Sequence, residues 1–347
     1  MMNVLIVGGT GFIGGPLTRL LLARGFNVTV FHRGQTSLVP AANCQEILGE
    51  REHLTSFRGL FTREKPDVVV DMIAMSEADA GDLVTTFKGI AKRVVVISSA
   101  DVYRSYELLR GIAFDNPEPS PITEAAALRT NLYPYRKMAR DENDWVYNYE
   151  KILVERCVMS AADDLPATIL RLPVVYGPGD HKHRLFPFLK RMDDHRPAIL
   201  IERGQVNWRW TRGFVENVAT AISCVVGDQR SVGRIYNLGE RHALTGVEWI
   251  DGIAAEVGWK GVVVEVEPGQ LPERMRSGLH WQHQLATDTS ALRRDLGFSE
   301  PVSFKQGLAA TIAWERANHP TDLKPEDFDY PQEDAVLAGV AKSKKNL

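Results

Sequence analysis

The N-terminal segment NVLIVGGTGFIGG places a cluster of glycines between a short apolar run and a leucine-rich stretch. The run Val4–Val7 is rich in β-branched residues, which is typical of a strand buried on both faces. The leucines that follow have roughly helical spacing and predict a helix. Three glycines, each three residues from the next, lie between the two elements: Gly8, Gly11 and Gly14. A glycine triplet alone also fits a flexible turn, but between a strand and a helix it favours a loop on which a pyrophosphate contacts backbone N–H groups.

Strand-like apolar runs alternate with helical stretches through the first half of the chain, at Val4–Val7, Val28–Phe31, Val68–Ile73, Val94–Ile97 and Thr168–Leu170. This alternation predicts an α/β fold built on a Rossmann-type doubly wound parallel sheet. We expect residues 1–175 to form the dinucleotide-binding domain, with 212–239 returning to it. Residues 176–211 and 240–340 are expected to form a smaller, mostly C-terminal α/β substrate domain, and 341–347 a frayed tail.

Composition excludes several classes of protein. The formal net charge of −3 over 347 residues offers no basic surface for nucleic acid. The three cysteines are unclustered, and two histidine pairs lack a third ligand, so neither a disulfide framework nor a metal site is expected. No apolar run reaches the length of a membrane span. A strand that starts at about residue 3 leaves no room for a signal peptide, so we expect a cytoplasmic protein.

The end of the second predicted strand bears on cofactor choice. An acidic residue at this position would hold the ribose 2′-hydroxyl of NAD, whereas the chain has His32 and Arg33. Arg33 therefore favours NADP, with NAD still possible, because the arginine could equally stack on adenine or face solvent. Glu50, after the next apolar run, could bond the adenine amine or could be a solvated loop charge.

Candidate catalytic residues follow the fourth predicted strand. Ser98 and Ser99 stand at its carboxyl end, where open α/β sheets bind ligands. Tyr147 and Lys151 are four residues apart and would share one face of a helix. A close ammonium stabilises a phenolate, so Tyr147 could exchange a proton with a substrate hydroxyl while a hydride moves to or from nicotinamide. The competing pair at residues 133 and 137 has a proline inside it, which would disrupt the helix.

These motifs together resemble the extended short-chain dehydrogenase/reductases, the NAD-dependent epimerase/dehydratase family. The resemblance rests on GGTGFIG, SSADVY, Tyr147-x-x-x-Lys151 and LRLPVVYGPGD in that order, and continues through RGFVENVATAI, YNLGE and ATDTSALRRDLGF. It implies a Rossmann fold, a bound NAD(P) and a triad of Ser99, Tyr147 and Lys151. It also implies that Ala74 flanks the cofactor ribose and Pro173 the nicotinamide. The full set of expected cofactor contacts is Gly8, Thr10, Gly11, Phe12, Ile13, Gly14, His32, Arg33, Glu50, Arg51, Ile73, Ala74, Met75, Ser98 and Pro173.

Departures from the family pattern concern the substrate. RTNLYPYRKMARDENDW forms an apparent insertion near the mouth of the site, and Val174 stands where many nucleotide-sugar enzymes carry an asparagine. Arginines near the predicted domain boundary could clamp a phosphate or carboxylate, or could be solvated charges. The expected substrate contacts are Asp101, Tyr103, Val174, Arg184, Arg209, Arg212 and Arg276.

The resulting hypothesis is an NAD(P)-dependent oxidoreductase or epimerase that acts on a hydroxyl or carbonyl carbon of a sugar or nucleotide sugar, with a homodimer as a possible assembly. An epimerase or a reductase is favoured over a dehydratase, since Asp101 is the only acidic candidate in its loop. The alternative is a catalytically silent dinucleotide-binding regulator or an RNA-binding protein of the same fold. The HRG ending of the second strand is similar to a subgroup that resembles chloroplast stem-loop RNA-binding proteins, but the acidic net charge argues against RNA.

Overall fold

A computed structural model describes residues 1–36 and 42–345. Its strands are β1 Asn3–Val7, β2 Asn27–His32, β3 Cys44–Leu48, β4 Val68–Asp71, β5 Arg93–Ser99, β6 Ala167–Leu172, β7 Val174–Tyr176, β8 Ala198–Glu202, β9 Arg209–Trp210, β10 Arg212–Phe214, β11 Ile235–Asn237, β12 Leu244–Thr245 and β13 Val262–Val266. Its α-helices are α1 Gly14–Ala23, α2 Arg58–Glu64, α3 Glu77–Phe87, α4 Arg104–Leu109, α5 Lys151–Ser160, α6 Phe186–Asp193, α7 Arg203–Val206, α8 Val215–Gly227, α9 Gly246–Val257, α10 Ser290–Leu296, α11 Phe304–Ala317 and α12 Tyr330–Lys345.

A central sheet of seven parallel strands carries the fold, in the order β3-β2-β1-β4-β5-β6-β11. The five strands expected from the apolar runs are all in it. Their side chains alternate between the two faces and are buried on both, as Val94, Val95 and Val96 of β5 illustrate. The strand order reverses between β1 and β4, so the crevice outside their carboxyl ends is the place where this fold binds ligands. The predicted Rossmann-type architecture is confirmed.

Helices cover both faces of the sheet. Helix α1 packs against α8 on one face, and α3 packs against α5 on the other. Helix α3 begins at a capping box, in which the Ser76 hydroxyl accepts the Asp79 N–H and the Asp79 carboxylate accepts the Ser76 N–H. Apolar side chains from α3 and α5, including Leu83, Phe87 and Val154, fill the space against the strands. Burial on both faces fixes the positions of the strand ends that form the site.

Smaller elements pack beside the carboxyl edge of the sheet. Strand β8 pairs in parallel with β13, β7 pairs with β10, and β9 pairs with β12 in antiparallel fashion. Helices α9 and α11 pack against one another. Strand β11 extends the central sheet next to β6, and the division of the chain into two domains stays a prediction.

The C-terminal region differs from expectation. Residues 341–345, predicted as part of a frayed tail, belong to α12, which is held by buried Glu333 bonding Arg191 of α6 at 2.6 Å. The last two residues lie outside the described part of the chain. Within the described residues, none of the helices combines the length and the apolar character that crossing a bilayer requires.

Candidate active site

The glycine loop between β1 and α1 is shaped for close backbone approach. Gly8 has φ +87°, a left-handed conformation that favours glycine. A Cβ on Gly14 would collide with the Gly8 carbonyl oxygen, so this glycine lets the helix pack onto the loop. A Cβ on Gly11 would meet nothing within 4 Å. The open space at Gly11, at the N-terminus of α1, fits the pyrophosphate of a dinucleotide.

The expected adenosine end of the site centres on His32. Its Nε2 lies 2.6 Å from a Glu46 carboxylate oxygen, and the Gly34 N–H donates to its Nδ1 at 3.3 Å. Since Nδ1 accepts a hydrogen bond, Nε2 carries the proton that bonds Glu46. His32 is therefore committed to protein partners, while the neighbouring Arg33 is exposed.

Arg51 approaches the same crevice from the loop after β3. Its Nη2 donates to the buried Asp71 carboxylate at 2.8 Å and to the Asp79 carbonyl at 2.7 Å. Its Nε and Nη1 are buried without a hydrogen-bond partner. Such orphaned donors are costly unless a ligand satisfies them, so they are a second feature that fits a polar cofactor. Glu50, directly before it, is exposed.

Lys151 joins the ends of β4 and β5. Its side chain is buried, and its Nζ donates to the Ala74 carbonyl at 2.7 Å and to the Ile97 carbonyl at 2.9 Å. The neighbouring Ile73 packs its side chain against Gly8 of the glycine loop. The ammonium group is thus held between the ends of β4 and β5, and Ile73 packs between this point and the glycine loop.

Burial lowers the pKa of Lys151 from 10.5 to about 8, although the negative charges of Asp71 and Asp101 oppose this shift. Between these two values the unfolded chain binds a proton that the folded chain does not, so the free energy of unfolding rises with pH. We expect wild type to gain about 3 kcal/mol or less relative to Lys151→Met across that interval. Urea unfolding at several pH values measures this. The exposed Lys137→Met is the control, and a difference that does not change with pH would contradict the prediction.

The loop after β5 brings a hydroxyl and a carboxylate to the same edge. The Asp101 N–H donates to the Ser99 hydroxyl at 3.2 Å. One Asp101 carboxylate oxygen, Oδ2, accepts the hydroxyls of Tyr135 at 2.9 Å and Tyr149 at 2.8 Å. The other, Oδ1, is buried without a partner. The Ser99 hydroxyl slightly opposes the burial that raises the pKa of Tyr149, and the Tyr149 ring centre lies 6.0 Å from the Lys151 Nζ.

The expectation that Tyr147 and Lys151 share a helix face is wrong. Helix α5 begins at Lys151, and Tyr147 lies in the turns that precede it. The Tyr147 hydroxyl donates weakly to Glu142 at 3.4 Å, and the Arg136 guanidinium lies 4.6 Å from its ring centre. The physical reason is Glu150, which lies directly before the first residue of α5. Its extended backbone keeps the helix from reaching back to Tyr147, and its carboxylate caps the helix by accepting the Ile152 N–H.

An ion pair fixes that helix start. Arg129 bonds both oxygens of the Glu150 carboxylate at 2.7 Å, and both side chains are almost fully buried. The Arg129 Nε donates to the Asp101 carbonyl at 3.0 Å. One guanidinium therefore ties the start of α5 to the loop after β5, which is how Tyr149 comes to face Asp101.

Two predicted ligand contacts are instead parts of a buried network. The Tyr103 side chain is fully buried, and its hydroxyl donates to Asn237 at 2.6 Å and accepts from Arg171 at 3.0 Å. The Ser98 hydroxyl donates to Glu155, which forms an ion pair with Arg171. The Tyr103 and Ser98 side chains face the interior because both are committed to this network, which corrects their expected contacts with substrate and cofactor.

The remaining predicted substrate residues do not converge on one point. Arg184 pairs with Asp180, and the Arg276 Nε donates to the Leu271 carbonyl. Arg209 pairs with Glu248 and lines a separate cavity of about 750 Å³ together with Arg241 and Arg293. Val174 is half-buried in β7 and Pro173 is buried next to it.

Arg212 has a different environment. Its guanidinium lies 4.3 Å from the ring centre of Trp249 and 5.6 Å from that of Trp210. Burial lowers the pKa of Arg212 to about 10, against the opposing charge of Glu240. A desolvated guanidinium held between two indoles is suited to bind an anionic group.

Sequence reasoning missed Tyr149 and Tyr135. The spacing of four residues to Lys151 favoured Tyr147. Nothing else in the neighbouring sequence indicates which of Tyr147 and Tyr149 lies beside Ser99 and Lys151. The start of α5 depends on Arg129, which is 21 residues from Glu150 in the chain. Tyr135 lies in the apparent insertion, whose position near the mouth of the site was the one available indication.

Comparisons with known proteins identify relatives in sequence and in fold. The chain is 27% identical over 249 residues to the 2'-dehydrokanamycin reductase of Streptomyces kanamyceticus, covering 70% of this chain and 63% of that relative's length. It is 25% identical to the dTDP-glucose 4,6-dehydratase of Streptomyces griseus, over 90% and 93% of the two chains. It is 23% identical to the chloroplast stem-loop binding protein of 41 kDa b of Arabidopsis thaliana, over 73% and 61%.

Solved structures share the fold. A UDP-glucose 4-epimerase of Thermotoga maritima with UDP-glucose superposes with a TM-score of 0.67 at 18% identity, over 91% of this chain and 99% of that one. The Bordetella bronchiseptica enzyme WbmG in complex with NAD gives 0.67 at 19%, over 93% and 96%. The model of the NAD dependent epimerase/dehydratase family matches residues 4–239, more than half of the sequence. The chain therefore belongs to the NAD dependent epimerase/dehydratase family.

Proposed function

We propose that this protein binds a nicotinamide dinucleotide and catalyses hydride transfer at a hydroxyl or carbonyl carbon of a sugar or nucleotide sugar. One observation carries the proposal. At the ends of β4 and β5, Lys151 bonds the Ala74 and Ile97 carbonyls, and Asp101 bonds both the Ser99 and the Tyr149 hydroxyl. These groups can bind the reacting oxygen and move its proton. The named relatives, a sugar-derivative reductase and a nucleotide-sugar dehydratase, support this substrate class.

The cofactor would lie across the carboxyl ends of β1 and β4. The backbone around Gly11 would hold its pyrophosphate, and the unpaired edge of Arg51 would bond its polar groups. Lys151, held by its hydrogen bond to the Ala74 carbonyl, would bond the nicotinamide ribose of the cofactor. When bound, the nicotinamide would supply or accept the hydride. Ser99 would orient the substrate oxygen through its hydroxyl.

We further propose a reductase or an epimerase rather than a dehydratase. Dehydration needs an acid and a base besides the group that serves the reacting oxygen. The loop after β5 offers one carboxylate, Asp101, which already accepts two tyrosine hydroxyls. Its neighbour, Ala100, has no proton to transfer.

NADP is the proposed cofactor, and titration of the nicotinamide fluorescence tests this. Arg33 is exposed at the end of β2, where it can bond a 2′-phosphate through charge-assisted hydrogen bonds of about 1.5–3 kcal/mol. We expect NADPH to bind about 10–100-fold more tightly than NADH, and Arg33→Ser to abolish this preference without weakening NADH. Arg156→Ser, an exposed arginine on α5, is the control. Equal affinity for both cofactors in wild type would refute the NADP assignment.

Turnover is tested by mixing the protein with each cofactor and a panel of free and nucleotide-linked sugars and keto sugars. A change in the nicotinamide absorbance with any member of the panel supports an oxidoreductase. Conversion of a sugar to its epimer without net absorbance change supports an epimerase.

A second candidate is a dinucleotide-binding protein without turnover. The observation that favours it is the placement of Tyr147, whose hydroxyl faces Glu142 rather than Lys151. Tight cofactor binding with no reaction across the panel would support this candidate.

A further inference from the structure

The Tyr149 hydroxyl lies at the carboxyl end of β5, beside Asp101. It donates to the Asp101 carboxylate at 2.8 Å, the Asp101 N–H bonds the Ser99 hydroxyl, and the Lys151 Nζ lies 6.0 Å from the ring centre of Tyr149. Tyr147, by contrast, packs its ring on Arg136 and directs its hydroxyl to Glu142. Both tyrosines precede α5, which begins after the extended residue Glu150.

We propose that Tyr149, rather than Tyr147, is the group that gives its proton to the reacting oxygen, and that Asp101 and Tyr135 position it as a neutral phenol. This inference rests on the proposed function and specifies its catalytic tyrosine and its favoured direction. Tyr149 is the catalytic residue in this assignment. Asp101 and Tyr135 are positioning residues, because they act through Tyr149.

The charges around Tyr149 favour the protonated phenol. A carboxylate that accepts a phenol hydroxyl at 2.8 Å stabilises the neutral form and repels the phenolate. Burial, and next the charge of Asp101, raise the pKa of Tyr149 well above its usual value. Burial and Asp101 raise the pKa of Tyr135 in the same way.

The cations that face the cluster do not reverse this. Arg129 interacts with Asp101 and Tyr149, but its charge is balanced by the Glu150 carboxylate. The Arg110 guanidinium lies 4.8 Å from the ring centre of Tyr135. Tyr135 in turn bonds the Asp101 carboxylate. Lys151 makes its hydrogen bonds to the Ala74 and Ile97 carbonyls. Tyr106 of α4 is a third buried phenol near the carboxylate, and its pKa is raised by burial first and by Asp101 after. The cluster therefore keeps Tyr149 protonated, and a protonated phenol can give its proton to the more basic alkoxide that forms when a carbonyl is reduced.

A bound nicotinamide would supply the hydride to the carbonyl carbon and would be oxidised, and the π electron pair would move onto the carbonyl oxygen. That oxygen would take the Tyr149 proton and become a hydroxyl. Water returns a proton to Tyr149 after the product leaves. Asp101 Oδ1, buried without a partner, keeps the capacity to accept a second hydroxyl from a bound polyol.

Tyrosine labelled with ¹³C at Cζ reports the ionisation of each phenol in the full chain by NMR, with signals assigned from Tyr→Phe variants. We expect Tyr149 to stay protonated at alkaline pH values where free tyrosine, with a pKa of about 10, ionises. In Asp101→Asn, the pKa of Tyr149 should fall by about one unit or more. A Tyr149 signal that ionises at the same pH as free tyrosine, or that is unmoved in Asp101→Asn, overturns the positioning role even if no turnover is found.

Activity provides the second readout, with NADPH and a nucleotide-linked 4-keto sugar as the probe. We expect Tyr149→Phe to lower kcat at least ~100-fold with unchanged NADPH affinity, and Tyr147→Phe to retain most of the turnover. Tyr135→Phe should shift the alkaline limb of the pH profile to lower pH, an effect that a purely structural role would not produce. The reverse order of the two tyrosine variants overturns the assignment while leaving the proposed function intact. If the wild-type protein did not bind NADPH or NADH, the proposed function would be refuted instead.

Discussion

Replacing Arg129 by methionine is expected to destabilise the folded protein by about 3–5 kcal/mol, because the change leaves the Glu150 carboxylate buried and unpaired. Both side chains are within a few per cent of full burial, and the ion pair is bidentate. The variant also loses the Arg129 bond to the Asp101 carbonyl. Chemical denaturation measures the change. The loss of this anchor should also lower cofactor-dependent activity under conditions in which the variant remains folded.

Two further variants separate the unpaired charge from lost packing. Adding Glu150→Gln to Arg129→Met removes the buried charge and keeps one acceptor oxygen, which can serve either the Ile152 or the Tyr133 N–H, so the double variant should recover part of the loss. Arg203→Met breaks an exposed pair with Glu265 and should leave the denaturation midpoint unchanged. An Arg129→Met midpoint equal to that of Arg203→Met would show that the buried pair contributes nothing.

Gly14→Ala and Gly11→Ala are expected to affect the glycine loop in different ways. A methyl group at Gly14 collides with the Gly8 carbonyl and with the backbone of Gly9, so the loop and α1 must separate. We expect a loss of about 1–3 kcal/mol in the free energy of unfolding and a large loss of NADPH affinity. A methyl group at Gly11 meets no protein atom within 4 Å, so stability should hold to within ~0.5 kcal/mol while NADPH affinity still falls. The measurements are denaturation and cofactor titration of both variants. Unimpaired NADPH binding by Gly11→Ala would contradict the placement of the pyrophosphate.

Much of the fold was predictable because its signals are local. Turns bound the apolar runs that form β1, β2, β4, β5 and β6, and these runs are rich in β-branched residues. Because both faces of each strand are buried, each strand appears in the sequence as a continuous apolar run. The glycine triplet predicted the loop before α1, because its signal is also local. Ser99 followed from its place directly at the end of a predicted strand, since parallel strands end at one edge of the sheet.

The choice of tyrosine was not predictable in this way. A spacing of four residues indicates a shared face only if both residues are helical. Whether the helix starts before Tyr147 or at Lys151 depends on Glu150 and its partner Arg129, which comes from the apparent insertion region. The ion pair between them stabilises this helix start only when both side chains are buried. Propensity cannot indicate this, because the determining contact is distant in the chain.

The amino-acid sequence alone determined the parallel sheet, its glycine loop and the strand end that carries Ser99, because backbone preference and apolar periodicity act over a few neighbouring residues. Only the tertiary structure decided that Tyr149 and Tyr135 share the Asp101 carboxylate and that the Tyr103 side chain faces the interior. Those contacts join segments far apart in the chain. Their energies depend on the removal of water, which occurs only when the whole domain has packed.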